Sequence, residues 1–217
     1  MIRFAFDPNE SSSRRLKELR ENGVSYAFSA LLKPKSIRKV DDGSHTQFVF
    51  EQEILDLLSV IDGSKDDDSL LGFLDYEKIK SGNLCRHIVC VLPYCASCDA
   101  MEALIRSHAE QFRNLNDYEI INISGVERPN EYKSPIEIKK KIRDCEKNGK
   151  KTLTLTVNRM LTGSTVEQWD TMLFLKDTAS PQEYDQAIFR LQNQFIKEYE
   201  DNEGHVIKYN KIGRAHV

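Results

Sequence analysis

Arg86-His87-Ile88-Val89-Cys90-Val91-Leu92 is a near-continuous apolar run. Such a run reads as a strand covered on both faces. After it, Met101, Leu104, Ile105 and Phe112 fall at helical spacing. Tyr118 to Ile123 reads as the next strand. Ser134-Pro135-Ile136-Glu137 then combines a capping box with proline at the first helical position. The helix it opens runs through Ile138, Ile142 and Cys145 and stops at Gly149. Thr152 to Val157 and Thr171 to Leu175 read as strands. Ser180-Pro181-Gln182-Glu183 repeats the capping pattern and predicts a long helix to about Ile196, with a last strand over 204–209. Strands alternating with helices across short loops predict an α/β domain built on a mainly parallel sheet sandwiched by helices. Ligands of such sheets sit beyond the carboxyl ends of the strands. The places to search are therefore just after Leu92, Ile123, Val157 and Leu175.

Residues 1–80 read differently, as a helical connecting segment. Arg14 to Glu21 predicts a short charged helix, Val24 to Leu32 an apolar segment stopped at Lys33-Pro34, and Leu70 to Ile79 another short helix. Phe50, Ile54, Leu57, Leu58 and Ile61 give helical spacing between Phe48 and Ile61. No strand is expected here, apart from a weak signal at Ile2–Phe6. At the other end, Ile212-Gly213-Arg214-Ala215-His216-Val217 back-translates as the start of a common sequencing adapter. Natural sequence is expected to stop near Tyr209 or Asn210, which would make the chain a fragment, and residues 211–217 are set aside.

The chain has 217 residues, 31 basic against 34 acidic side chains and a net charge of −3. No bulk positive field advertises nucleic acid, so any polyanion site must be a local patch. No apolar run has the length of a spanning helix, and the N-terminus lacks the apolar region of a secretory signal. A cytoplasmic location is the expectation, and no membrane partner.

Five cysteines, Cys85, Cys90, Cys95, Cys98 and Cys145, make an odd count that suits a reducing compartment. Cys95-Ala96-Ser97-Cys98 between a strand and a helix is the dithiol redox arrangement, because a helix N-terminus stabilises a thiolate. No proline stands where a dithiol fold would need one facing the pair. Zinc is not expected either: structural zinc wants two close pairs on turns, whereas Cys85 and Cys90, five apart along a strand, point to opposite faces. Buried free thiols are the simpler reading.

Gly149-Lys150-Lys151-Thr152 only superficially suggests a phosphate loop. Lys151 intervenes, residue 144 is aspartate, and the order is helix then strand. No acidic box follows a strand to hold Mg²⁺. Alone, the chain is not expected to hydrolyse a nucleotide.

The most informative stretch is 154–194. A strand ends in Thr156-Val157-Asn158-Arg159, a loop holds Thr162-Gly163-Ser164-Thr165-Val166, and Trp169-Asp170 leads into the next strand. In the helix that follows, Tyr184, Ala187, Ile188, Leu191 and Phe195 form the apolar face, while Gln186, Arg190 and Asn193 share the other. By periodicity alone, that polar stripe is a solvated surface.

These residues resemble motifs V and VI in the second RecA-like domain of superfamily-2 (DEAD/DEAH-type) helicases. The branch resembled is that of restriction-enzyme motor subunits, the type III restriction res-subunit-like proteins. Motif V of that branch is matched by Arg159, Thr162-Gly163-Ser164-Thr165-Val166 and Trp169-Asp170. Motif VI is matched by Ser180, Tyr184, Gln186, Phe189-Arg190 and Gln192. Thr165 stands where the general motif V has aspartate; Phe189 and Asn193 replace a glycine and the second arginine of the general motif VI. The resemblance is looser over 85–153 and weakest over 1–80.

The resemblance implies a RecA-like helicase C-terminal domain over 81–210, truncated, with 1–80 connecting it to an absent first motor domain. It implies ATP and Mg²⁺ as cofactors, held mainly by that missing domain. It assigns Arg190 as the catalytic arginine, with Gln186, Arg190 and Gly163 on the ATP side. Asn158, Arg159, Thr162 and Thr165 would touch nucleic-acid phosphates. The partners it implies are double-stranded DNA, the missing motor domain and the modification or specificity subunits of a restriction system. Two other readings stay open: a cytosolic dithiol oxidoreductase using Cys95 and Cys98, and a non-catalytic α/β interaction module.

Overall fold

The structure is a computed structural model and describes residues 28–36, 46–63, 85–127, 132, 134–158, 166–177, 180–189, 191, 195–200 and 206–211. Its centre is a four-stranded parallel sheet of β3 (His87–Val91), β4 (Tyr118–Asn122), β5 (Lys151–Thr156) and β6 (Thr171–Phe174). The spatial order is β4-β5-β3-β6, with β3 paired to β5 and β6, and β5 to β4. Every residue of β3 is buried, as its apolar run requires of a strand with neighbours on both sides.

Alternation along the strands sends side chains to two cores. Ile88, Cys90, Ile120, Leu153 and Leu155 belong to one, with Ala100, Met101, Leu104 and Ile105 of α3 (Cys95–Ser107). Val89 and Ile121 belong to the other, with Ile138 and Ile142 of α4 (Pro135–Lys147), Val166, Trp169 and Leu191. Helices therefore cover both faces of the sheet, which is the α/β class expected for a RecA-like domain. The capping box is formed: Ser134 Oγ accepts from the Glu137 N–H, and the Glu137 carboxylate accepts from the Ser134 N–H.

The N-terminal part differs from its sequence reading. The short helix α1 (Phe28–Leu31) and α2 (Glu51–Asp62) lie where helical spacing places them. Between them, however, β1 (Pro34–Ser36) and β2 (Thr46–Phe48) pair antiparallel, where no strand is expected. Three-residue strands are too short to show a period; they are held by pairing and by the burial of Phe48. Leu32, Phe48, Ile54, Leu55 and Leu58 enter the same core as α3. Asp62, at the end of α2, fastens this layer to the connection before β4. Its carboxylate accepts the N–H groups of Arg113, Asn114 and Leu115 at 2.8, 3.0 and 2.6 Å. The helices expected over 14–21 and 70–79 and the signal at 2–6 lie outside the described residues, as does 212–217.

The C-terminal helix is also corrected. α5 spans Pro181–Phe189 rather than reaching Ile196. Residues Phe195–Glu200 form β7, which pairs antiparallel with β8 (Val206–Lys211) in a separate two-stranded sheet. No clean alternation marks Phe195 to Glu200, and pairing with β8 prevails over the helical spacing that reaches Phe195.

Candidate functional site at the carboxyl edge of the sheet

The carboxyl ends of β3, β4, β5 and β6 lie along one edge of the sheet. After β4 the chain turns at Ser124-Gly125 and is held by buried polar groups of α3. Asp99, 5% exposed, accepts the N–H groups of Val126 at 2.7 Å and Glu127 at 3.2 Å. Asn122 Nδ2 donates to Asp99 at 3.0 Å and to Glu102 at 3.3 Å, and Asn122 Oδ1 accepts the Gly125 N–H at 2.8 Å. Arg106 Nε donates to Glu102 at 3.0 Å. Burial raises the Asp99 carboxyl above its usual range, against the lowering effect of the N–H groups of Val126 and Glu127. Thr46 donates to Glu127 at 2.9 Å, tying β2 to the same loop.

A side chain at Gly125 would collide with this network. Its Cβ would stand 2.1 Å from Asp99 Oδ1 and 2.6 Å from Asn122 Nδ2. Neither group can swing away without giving up the bonds that hold the loop. Gly125→Ala is expected to cost about 1–3 kcal/mol, the range of an overpacked core position. Urea unfolding measures it; an unchanged midpoint would mean the turn relaxes freely.

The edge beyond β5 and β6 carries Asn158 and the helix of Gln186, two of the residues singled out from sequence. Asn158 is exposed just past β5, and its Oδ1 accepts from Lys176 Nζ at 3.1 Å. Lys176, just past β6, also pairs with Glu183 of α5 at 2.6 Å. Gln186 is exposed on α5, while Ala187 and Leu191 are buried. The structure thus brings Asn158 and the helix of Gln186 to one edge, joined through Lys176. Arg159, Thr162, Gly163, Thr165 and Arg190 lie outside the described residues. Asp177, beside Lys176, accepts the N–H groups of Phe28 and Ser29 at 3.0 and 2.8 Å. Burial would raise its carboxyl, but the bonds from Ser29 and Phe28 hold it below the usual value.

Trp169-Asp170, part of the resemblance to motif V, is structural. The Trp169 ring is fully buried and its Nε1 donates to Thr154 Oγ1 at 3.2 Å. Asp170 accepts the Arg86 N–H at 2.8 Å, at the amino end of β3 and away from the candidate edge. At that amino end His87 bridges Glu146 and Thr152, with Nδ1 2.9 Å from Thr152 Oγ1. The order threonine, histidine, carboxylate has the form of a nucleophilic triad. Thr152 is fully buried, so no substrate reaches it, and the group pins the end of α4 to β3 and β5.

The cysteines divide by environment. Cys95 is exposed at the start of α3, while Cys98, one turn on, is fully buried and donates to the Tyr94 carbonyl. Burial pushes the Cys98 thiol far up and that of Cys90 to about 12. Among the described residues, no group of three or more His, Cys, Asp or Glu side chains could hold a metal ion. No helix among them is long and apolar enough to cross a membrane.

Lys176 and the Asp99–Asn122 network escaped the sequence reading. The network joins residues more than a helix apart and leaves no local pattern. Lys176 did leave a signal: a lysine directly after a strand, at a carboxyl end already marked for ligands.

Fold and edge define an α/β protein with a parallel sheet whose described carboxyl-end residues after β4, β5 and β6 are held by polar contacts. No protein-family model matches the chain, and no solved structure matches it significantly. The chain is similar to a Mycoplasma pneumoniae protein provisionally named as the C-terminus of a type II restriction enzyme and methyltransferase. The two are 34% identical over 176 residues, which cover 79% of this chain and 23% of that protein. The chain therefore spans less than a quarter of the relative's length. That name is a restriction-system name of type II, where the sequence resemblance is to the type III branch.

Proposed function

We propose that the chain is part of an ATP-dependent DNA helicase or translocase subunit of a restriction endonuclease, and supplies its second RecA-like domain. The observation that carries the reading is the convergence of Asn158 and the Gln186 helix at the carboxyl edge of a parallel sheet. The restriction-system name of the relative supports it from a second direction. In this reading residues 81–210 are the motor domain, 1–80 lead into it from a first motor domain, and the protein works in the cytoplasm.

In this reading the chain supplies one side of a nucleotide site, through Gln186, and one nucleic-acid contact, through Asn158. Gln186 and Asn158 are exposed polar groups at the edge. ATP and Mg²⁺ would be held mainly by the first motor domain, which would supply phosphate grip and charge neutralisation. This chain adds Arg190, whose guanidinium offsets charge developing on the transferred phosphoryl group, with Gln186 and Gly163 as further residues on the ATP side. Asn158, Arg159, Thr162 and Thr165 contact phosphates of double-stranded DNA without reading bases. Modification or specificity subunits would supply sequence recognition.

The test is ATP turnover by the full-length parent with and without double-stranded DNA. DNA-stimulated turnover is expected, and its absence overturns the reading. The isolated 217-residue chain is expected to show no turnover, because it holds no phosphate loop. Turnover by the isolated chain that Arg190→Ala abolishes and Cys95→Ser spares would reveal a phosphate site within these residues.

A further inference from the structure

Lys176 joins three elements at one atom. β5 and β6 flank β3 in the sheet, so the ammonium that leaves β6 reaches across the carboxyl end of β3 to Asn158. The same Nζ meets the Glu183 carboxylate at 2.6 Å. Glu183 and Gln186 are three apart on α5 and share a face. The lysine side chain is 18% exposed, better shielded than an ordinary surface pair. Its neighbour Asp177 is engaged by the N–H groups of Phe28 and Ser29.

Exposed lysine–carboxylate pairs contribute little to stability. What this one fixes is position. Moving α5 relative to the β5 loop would stretch either the bond to Asn158 or the bond to Glu183. We propose that Lys176 is a positioning residue that couples nucleic-acid contact at the Asn158 loop to the nucleotide-facing helix of Gln186. This rests on the function proposed above and adds a residue and a route to it. Backbone phosphates drawing on Asn158 shift Lys176, and Lys176 carries the shift to Glu183 and α5. Neither the resemblance to motif V nor that to motif VI includes Lys176.

The test uses the full-length parent carrying Lys176→Met, Lys176→Arg or Glu183→Gln. ATP turnover is measured with and without double-stranded DNA, along with DNA affinity in the absence of nucleotide. Lys176→Met is expected to leave basal turnover and DNA affinity near wild type while lowering the DNA stimulation about tenfold, within the range of ordinary coupling between sites. Lys176→Arg is expected to restore part of it, since a guanidinium can donate to both oxygens. Glu183→Gln is expected to weaken stimulation without touching the lysine, so it carries the test if Lys176→Met fails to fold. Full stimulation in both Lys176→Met and Glu183→Gln overturns the inference and leaves the proposed function standing. Equal loss of basal and stimulated turnover assigns Lys176 to structure alone and overturns it too. A wild-type parent that DNA does not stimulate overturns both.

Discussion

Arg190→Ala in the full-length parent is expected to lower ATP turnover by roughly 10³-fold or more, as loss of an arginine finger does. DNA affinity without nucleotide should hardly change. The expectation is positional. Ser180 Oγ accepts the Glu183 N–H at the start of α5, which fixes where that helix begins. Ala187 and Leu191, one turn apart, are each 2% exposed and anchor the apolar side. Gln186 is exposed on α5, and the resemblance to motif VI assigns the finger to Arg190, four residues after it in sequence. Arg159→Ala is the contrast. It should weaken DNA-stimulated turnover and make DNA binding less steeply dependent on salt, if the proposed phosphate contact of Arg159 is made. Near-wild-type turnover in Arg190→Ala, with Arg159→Ala inactive even without DNA, would show that the two roles are reversed.

Parts of this molecule could be read directly from sequence because their causes are local. The β3 run is apolar because helices cover both faces of its sheet. Ser134 and Glu137 announce α4 because a capping box is a contact between neighbours. The end of α5 could not be read. Tyr184, Ile188, Leu191 and Phe195 continue a helical spacing past Phe189, yet Phe195 starts β7 because β8, farther along the chain, supplies a partner. Long-range pairing overrode the helical spacing of the same residues. β1 and β2 were hidden for a related reason: three residues carry no period.

The candidate edge was legible only in outline. Parallel topology points to the carboxyl ends, and Asn158 and the helix that carries Gln186 are linked there through Lys176. The buried carboxylates Asp99 and Glu102 look in sequence like the solvated side of a helix. They are 5% and 6% exposed because Asn122, Arg106 and two loop N–H groups satisfy them. Trp169-Asp170 misleads in the opposite way. As part of a motif it suggests a functional contact, whereas burial and hydrogen bonding make it a fastening between strands.

That fastening carries the other large expected effect. Trp169→Ala should destabilise the chain by about 3–5 kcal/mol, the range for emptying a buried aromatic site. Against a typical total stability of about 5–15 kcal/mol, that is a large share. The ring lies fully buried among Val89, Ile121, Ile138, Ile142, Val166 and Leu191, so its loss opens a void that several elements border. It also removes the donor to Thr154, which is itself fully buried. Trp169→Phe separates the two contributions: it keeps most of the ring volume and forfeits only the bond to Thr154, so its loss should be smaller, about 1–3 kcal/mol. Trp169 is the only tryptophan, and its removal silences the fluorescence. Unfolding is therefore followed by far-ultraviolet circular dichroism in urea. If Trp169→Ala unfolds at the same denaturant concentration as wild type, the segment from Val166 to Asp170 is not anchored in the core.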